Sequence, residues 1–241
     1  MYLGLVSATF RQLTADDVIK LVKQAGLDGI EWSGDLHCPP GFTDLAKGIK
    51  EKTEEAGLKV LSYGSYYKVG TEMDFAPVLE TAKALSSPNI RVWAYNKEAP
   101  NEAEYEKVIA DTKNIRDLAK AENITISYEY HPKSLTYSAA SALKLLNDVT
   151  GTFTYWQENV KISKNANREE IAEIKPFIKN VHLLSSFGEQ RENLDFKEWF
   201  TYLEGLDFEC ALLEFVKHND PREFLIDAET LIRIKKELEA K

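Results

Sequence analysis

The chain has 241 residues, 44% hydrophobic and 29% charged, the balance of an ordinary globular domain. Thirty Lys and Arg against 39 Asp and Glu give a net charge of −9, and no basic cluster interrupts it, which argues against a nucleic-acid partner. No apolar run approaches the ~20 residues of a membrane span, so an integral membrane protein is not expected.

In chain order, the opening MYLGLVSATF lacks a basic leader and a cleavage pattern, and it reads as a first strand. Further strand-like runs start near Gly29, Lys59, Ile90, Ile124, Phe153, Asn180 and Cys210. Their spacing, on average about 30 residues, is that of a βα unit. The intervening segments carry helix signals. Thr14 to Asp17 resembles a capping box ahead of Val18, Leu21, Val22 and Ala25 at helical spacing. Asn101 is placed to cap a helix striped by Val108, Thr112, Ile115 and Ala119. Asn219-Asp220-Pro221 reads as a cap with Pro in the first turn, and Phe224, Ala228, Leu231 and Leu238 line one face beyond it. Gly26 and Gly57 fall where two helices should stop.

Eight such units in a chain of this length predict a single-domain (β/α)8 TIM barrel over residues 1–241, since barrels of this kind run to ~250 residues. A doubly wound sheet would carry a Gly-rich first turn or a phosphate loop, and neither occurs. The two cysteines, Cys38 and Cys210, are far apart. They suit a reducing, cytoplasmic setting rather than a disulfide scaffold, and they make no zinc site.

Chemistry in a TIM barrel sits at the C-terminal strand ends. The predicted strands end in Glu31, in Tyr63 and Tyr66, in Arg91, Trp93 and Tyr95, in Glu129 and His131, in Trp156 and Gln157, in His182, and in Glu214. Any one of these acids has a bland reading, because a strand end meets water. His182, between Val181 and Leu183, also fits a satisfied buried histidine, and Trp93 and Trp156 also fit the core. Convergence is harder to dismiss. In a barrel, Glu129, Gln157, His182 and Glu214 come from four neighbouring strands and face one spot. Two carboxylates, an imidazole and an amide oxygen are a plausible shell for a divalent cation, with Mg2+, Mn2+, Co2+ and Zn2+ all compatible. Without a cation the two carboxylates would repel each other.

At these residues the chain resembles the xylose isomerase-like TIM barrels, the sugar isomerase/epimerase superfamily that also contains endonuclease IV. It is most similar to the branch called sugar phosphate isomerase/epimerase. The matching words are GIEWSGDLHCPPG (Gly29–Gly41), SYGSYY (Ser62–Tyr67), IRVWA (Ile90–Ala94), EYHPKSLT (Glu129–Thr136), YWQ (Tyr155–Gln157), VH (Val181–His182) and LLEFV (Leu212–Val216), in order along nearly the whole chain. The resemblance implies metal ligands at Glu129, Gln157, His182 and Glu214. Gln157 departs from the pattern, because better-known members have an acid there. The segment after His182 differs from the family's aromatic-rich loop, and Arg191 aligns with its arginine.

The resemblance also implies a mechanism. A bound cation polarises the carbonyl of an α-hydroxy ketone, and Glu129 and Glu214 remove and return the neighbouring proton, giving an epimer or an aldose–ketose isomer. Glu31, His37 and His131 are candidate hydroxyl binders. Trp93 and Trp156 are candidates to pack on the sugar's apolar face. Two competing readings are a keto-inositol-type dehydratase on the same site and a non-catalytic sugar-binding barrel. A DNA-repair role is disfavoured by the charge and by only four histidines, at positions 37, 131, 182 and 218. The expected partner is a small-molecule sugar.

Overall fold

The computed structural model describes residues 1–185, 196–203 and 208–240. Eight strands alternate with helices: β1 (Tyr2–Val6), α1 (Ala15–Ala25), β2 (Gly29–Ser33), α2 (Thr43–Glu55), β3 (Lys59–Val69), α3 (Ala76–Ala84), β4 (Asn89–Ala94) and α4 (Glu102–Ala121). The second half runs β5 (Thr125–Tyr128), α5 (Ala139–Asp148), β6 (Phe153–Trp156), α6 (Lys164–Ile174), β7 (Ile178–Leu184), α7 (Phe196–Leu203), β8 (Cys210–Glu214) and α8 (Pro221–Glu239). All neighbouring strands pair parallel, and β8 closes on β1 with Tyr2 opposite Cys210. The expected (β/α)8 barrel is therefore the observed fold.

The local signals explain where the helices begin and end. Thr14 accepts a hydrogen bond from Asp17 N at the start of α1, and Gly26 ends the helix in the left-handed region at φ 72°. Asn101 and Glu104 form a reciprocal capping box on α4. Asp220, rather than Asn219, caps α8, with Pro221 at its first position. Among the described residues, no helix is long and apolar enough to cross a membrane.

Strand alternation divides the interior in two. Ile30, Trp32, Ile90, Val92, Ile126, Tyr128, Trp156, Val181, Leu183, Ala211 and Leu213 pack outward against the helices. A smaller cluster of Val6, Ala8, Leu61, Tyr155, Cys210 and Leu212 plugs the barrel itself. Above that plug lies a buried polar layer. The Tyr155 hydroxyl accepts from Asn89 at 3.1 Å and Asn180 at 2.8 Å, and Ser127 donates to Asn89 at 2.7 Å. Every member of this layer finds a partner, the condition for burying polar groups without large cost. The charged residues sit on top of it. At the rim, the non-glycine residues Tyr66, Tyr95, Lys133 and Phe215 adopt left-handed backbone, with φ of 59°, 64°, 68° and 51°.

Candidate active site

Five charged or ionisable side chains converge inside the upper end of the barrel: Glu31, Arg91, Glu129, His182 and Glu214. All are buried. Strand alternation puts them there. Arg91 follows Asn89 by two residues on β4, Glu129 follows Ser127 by two at the end of β5, and His182 follows Asn180 by two on β7.

Glu31 lies at the centre and is completely buried. Arg91 Nε donates to its Oε1 at 2.8 Å, and Tyr155 donates to its Oε2 at 2.7 Å. Burial works to raise its pKa, but the Arg91 charge and His182 outweigh it and hold the carboxyl down at about 2. This corrects two expectations. Glu31 neither faces solvent nor is free to bind a substrate hydroxyl, because both of its oxygens serve other side chains.

Glu129 is the second acid. Its Oε2 accepts from both Arg91 Nη1 and Trp93 Nε1. Arg91 thus ties Glu31 to Glu129 through a forked pair of charge-assisted contacts. Burial works against its charge, yet the surrounding carboxylates raise its pKa well above the ordinary value. The Arg91 fork is seated over Gly64. A Cβ built at Gly64 would lie 2.5 Å from Arg91 Nη2 and 3.0 Å from Glu31 Oε1, so only glycine leaves room for the pair.

His182 bridges the other way, with Nε2 3.5 Å from Glu31 Oε1 and Nδ1 3.2 Å from Glu214 Oε2. Burial works to lower its pKa, but Glu214 and then Glu31 raise it to about 10. Burial likewise works to raise the pKa of Glu214, and His182 and Arg91 lower it below the ordinary value.

One donor atom each from Glu129, His182 and Glu214 lie within 4.8 Å of one another. Ligand bonds of ~2.0–2.6 Å let two donors on one cation stand up to about 4–5 Å apart, so this triangle is compatible with a divalent cation. Gln157 lines the cavity next to this triangle. It is the inward residue just beyond β6, is 7% exposed, and its Oε1 has no hydrogen-bond partner. A buried carbonyl oxygen without a donor is costly unless something outside the chain satisfies it. In neutral His182, a proton on Nε2 directed at Glu31 leaves the Nδ1 lone pair facing Glu214 and the shared space, the usual way an outer carboxylate orients a metal-ligating imidazole.

Beside this cluster lies a cavity of about 250 Å³, lined by Tyr130, His131, Lys133, Tyr137, Gln157 and Leu184 among others. His131 is half-buried there, stacked on Trp93 at 4.5 Å. Glu129 and His131 are therefore split: the acid turns into the barrel axis and the imidazole into the adjoining cavity. Trp93 gives its indole N–H to Glu129 and one face to His131.

Two other expected sugar contacts lie elsewhere. Trp156 is 1% exposed and packs on Trp199 of α7 at 5.0 Å, because alternation turns it outward between the inward Tyr155 and Gln157. His37 is buried in the loop after β2, against Trp32, with Nε2 3.1 Å from the Leu13 carbonyl. Burial lowers its pKa, and its charged neighbours are Asp35 and Arg11 rather than the acids at the barrel axis. Arg191 lies outside the described residues. Sequence reading assigned no role to Arg91, Tyr155 or Gly64, although the two-residue period Asn89-Arg91-Trp93 marks Arg91 as inward.

A family model for the xylose isomerase-like TIM barrels matches residues 19–233. The chain belongs to that family. Solved structures agree with it in fold. The probable 3-DHS dehydratase AsbF of petrobactin synthesis from Bacillus anthracis superposes on this xylose isomerase-like barrel with a TM-score of 0.79 at 17% identity, over 96% of this chain and 99% of that one. The 3-keto-D-glucoside 4-epimerase YcjR of E. coli gives 0.75 at 15% identity, over 97% and 99% of the two chains. A D-allulose 3-epimerase from Methylomonas sp. gives 0.75 at 16%, over 97% of each. No curated protein matches the chain in sequence.

Proposed function

We propose that this xylose isomerase-like barrel is a sugar or sugar phosphate isomerase or epimerase that removes and returns a proton beside a carbonyl, with a divalent cation held by Glu129, Gln157, His182 and Glu214. The observation that carries this reading is the triangle of Glu129, His182 and Glu214 donor atoms within 4.8 Å, with the unpartnered Gln157 oxygen buried beside the adjoining cavity. The epimerases among the similar folds support it. When bound, such a cation supplies Lewis acidity that acidifies the C–H next to a ketone.

The chain's own residues do the rest. Glu129 and Glu214 stand on β5 and β8, so a substrate between them meets a carboxylate on each side. One takes the proton and the other delivers it, to the opposite face or to the adjacent carbon. Arg91 and Trp93 both bind Oε2 of Glu129 and leave Oε1 as its working oxygen. Glu31 orients His182 from below and touches no substrate. His131 and Lys133 offer polar contacts to the far end of a sugar in the cavity.

The test is hydrogen–deuterium exchange at the α-carbon of a panel of ketoses and 3-keto sugars, free and phosphorylated, in D2O with Mn2+. Exchange in the wild type and its loss in Glu214→Gln, with the fold intact by circular dichroism, are expected. Absence of exchange across the panel, or full exchange in the variant, refutes the assignment. The dehydratase reading is favoured by the AsbF fold match alone. It shares the first proton abstraction and differs in expelling a β-hydroxyl, so it would show as a new enone absorbance in the same reactions.

A further inference from the structure

Arg91 is an unusual neighbour for a cation site. Its side chain is 1% exposed, and it is held by Glu31 on one side and Glu129 on the other. The Tyr66 ring lies 5.5 Å from its guanidinium carbon, while Nη2 has no hydrogen-bond partner and rests over Gly64. A fixed positive charge is thereby locked against an acid of the donor triangle. The same donor set carries Gln157, which is neutral. Both features act in one direction: they reduce the negative charge available to a divalent cation.

We propose that Arg91 is an internal competitor of the divalent cation. It neutralises Glu129 and Glu31 when no cation is bound, and it sets cation affinity low by sharing Glu129 when one is. The inference rests on reading Glu129, Gln157, His182 and Glu214 as the cation's ligands. It goes further by assigning a regulatory charge to a residue that contacts neither cation nor substrate. Glu129 is the shared carboxylate: Arg91 and Trp93 hold its Oε2, and its Oε1 is left for the cation. A cation drawing on that carboxylate does so against the guanidinium, and the same-sign charges repel at short range in a dry interior. Arg91 is thus a positioning residue, acting only through Glu129 and Glu31.

The experiment is calorimetric titration of Mn2+ into chelator-treated wild type, Arg91→Gln and Arg91→Lys, with thermal unfolding of each. Changes in groups that support metal ligands alter affinity ~10–100-fold. Arg91→Gln should tighten Mn2+ binding at least ~10-fold, in that range. Arg91→Lys keeps the charge but cannot hold both acids in one fork, so it should tighten binding by a smaller factor. Loss of order at the site can only weaken binding, so the direction of the change separates competition from a merely structural role.

Wild-type binding with equal or weaker binding in Arg91→Gln overturns the proposal and leaves the cation site standing. If neither protein binds Mn2+, the reading of the donor triangle as a cation site fails and the competition fails with it. If Arg91→Gln does not fold, Arg91→Lys decides: tightening supports the competition, and unchanged or weaker binding refutes it.

Discussion

Raising the pH should unlock the His182 clamp in the cation-free protein. The folded imidazole titrates at about 10 against 6.5 for the free side chain, because Glu214 and Glu31 favour its charged form despite burial. A folded pKa above the unfolded one stabilises the fold fully below 6.5, and that contribution drains away as pH rises through 10. At ~1.4 kcal/mol per pH unit, this span is worth about 5 kcal/mol at most. The assay is urea denaturation of chelator-treated protein at pH 6.5, 8 and 10, beside His182→Asn to subtract the lysines and tyrosines that titrate in the same range. Wild type should lose several kcal/mol more than the variant across the window. With saturating Mn2+ the trend should reverse, since the cation displaces the imidazole proton and binds better as protons become scarce. Equal pH slopes in wild type and His182→Asn without metal would refute the argument.

Gly64→Ala should destabilise the fold by about 1–3 kcal/mol, the usual cost of overpacking, because its Cβ would fall 2.5 Å from an Arg91 nitrogen that Glu31 and Glu129 pin in place. An unchanged urea midpoint would mean that Arg91 can swing aside. Gln157→Glu, made beside the shorter Gln157→Asp, should tighten Mn2+ binding ~10-fold or more by adding a carboxylate to the donor set. Calorimetry in which neither variant gains would remove Gln157 from the ligands. Tyr155→Phe should cost about 1–3 kcal/mol, since it deletes the donor to Glu31 and strips Asn89 and Asn180 of an acceptor. A melting temperature equal to wild type would show that those amides find other partners.

The barrel was legible because its signals are local and repeated: caps at Thr14, Asn101 and Asp220, a stop at Gly26, and strand runs at regular spacing. The gathering of Glu129, His182 and Glu214 was legible once the fold was assumed, because strand ends share a rim. Burial was not. Glu31 at a strand end looks like a rim residue, and nothing near it in sequence announces Arg91 60 residues on or Tyr155 124 residues on. Trp156 was misplaced for a simpler reason. One-residue parity decides inside from outside, and Gln157 inward obliges Trp156 outward. His37 was misplaced because a loop residue has no parity to read.

The left-handed residues at the rim bear on how this protein would respond to selection in the laboratory. Tyr66, Tyr95, Lys133 and Phe215 each hold a backbone conformation that glycine or asparagine adopts more cheaply. A library sorted only for heat resistance should therefore enrich replacements at these positions. Each would also delete a side chain from the mouth of the barrel: Tyr66 from over Arg91, and Lys133 from the cavity wall. Thermostable winners should accumulate as poor catalysts, and the four positions mark where a screen must also score turnover.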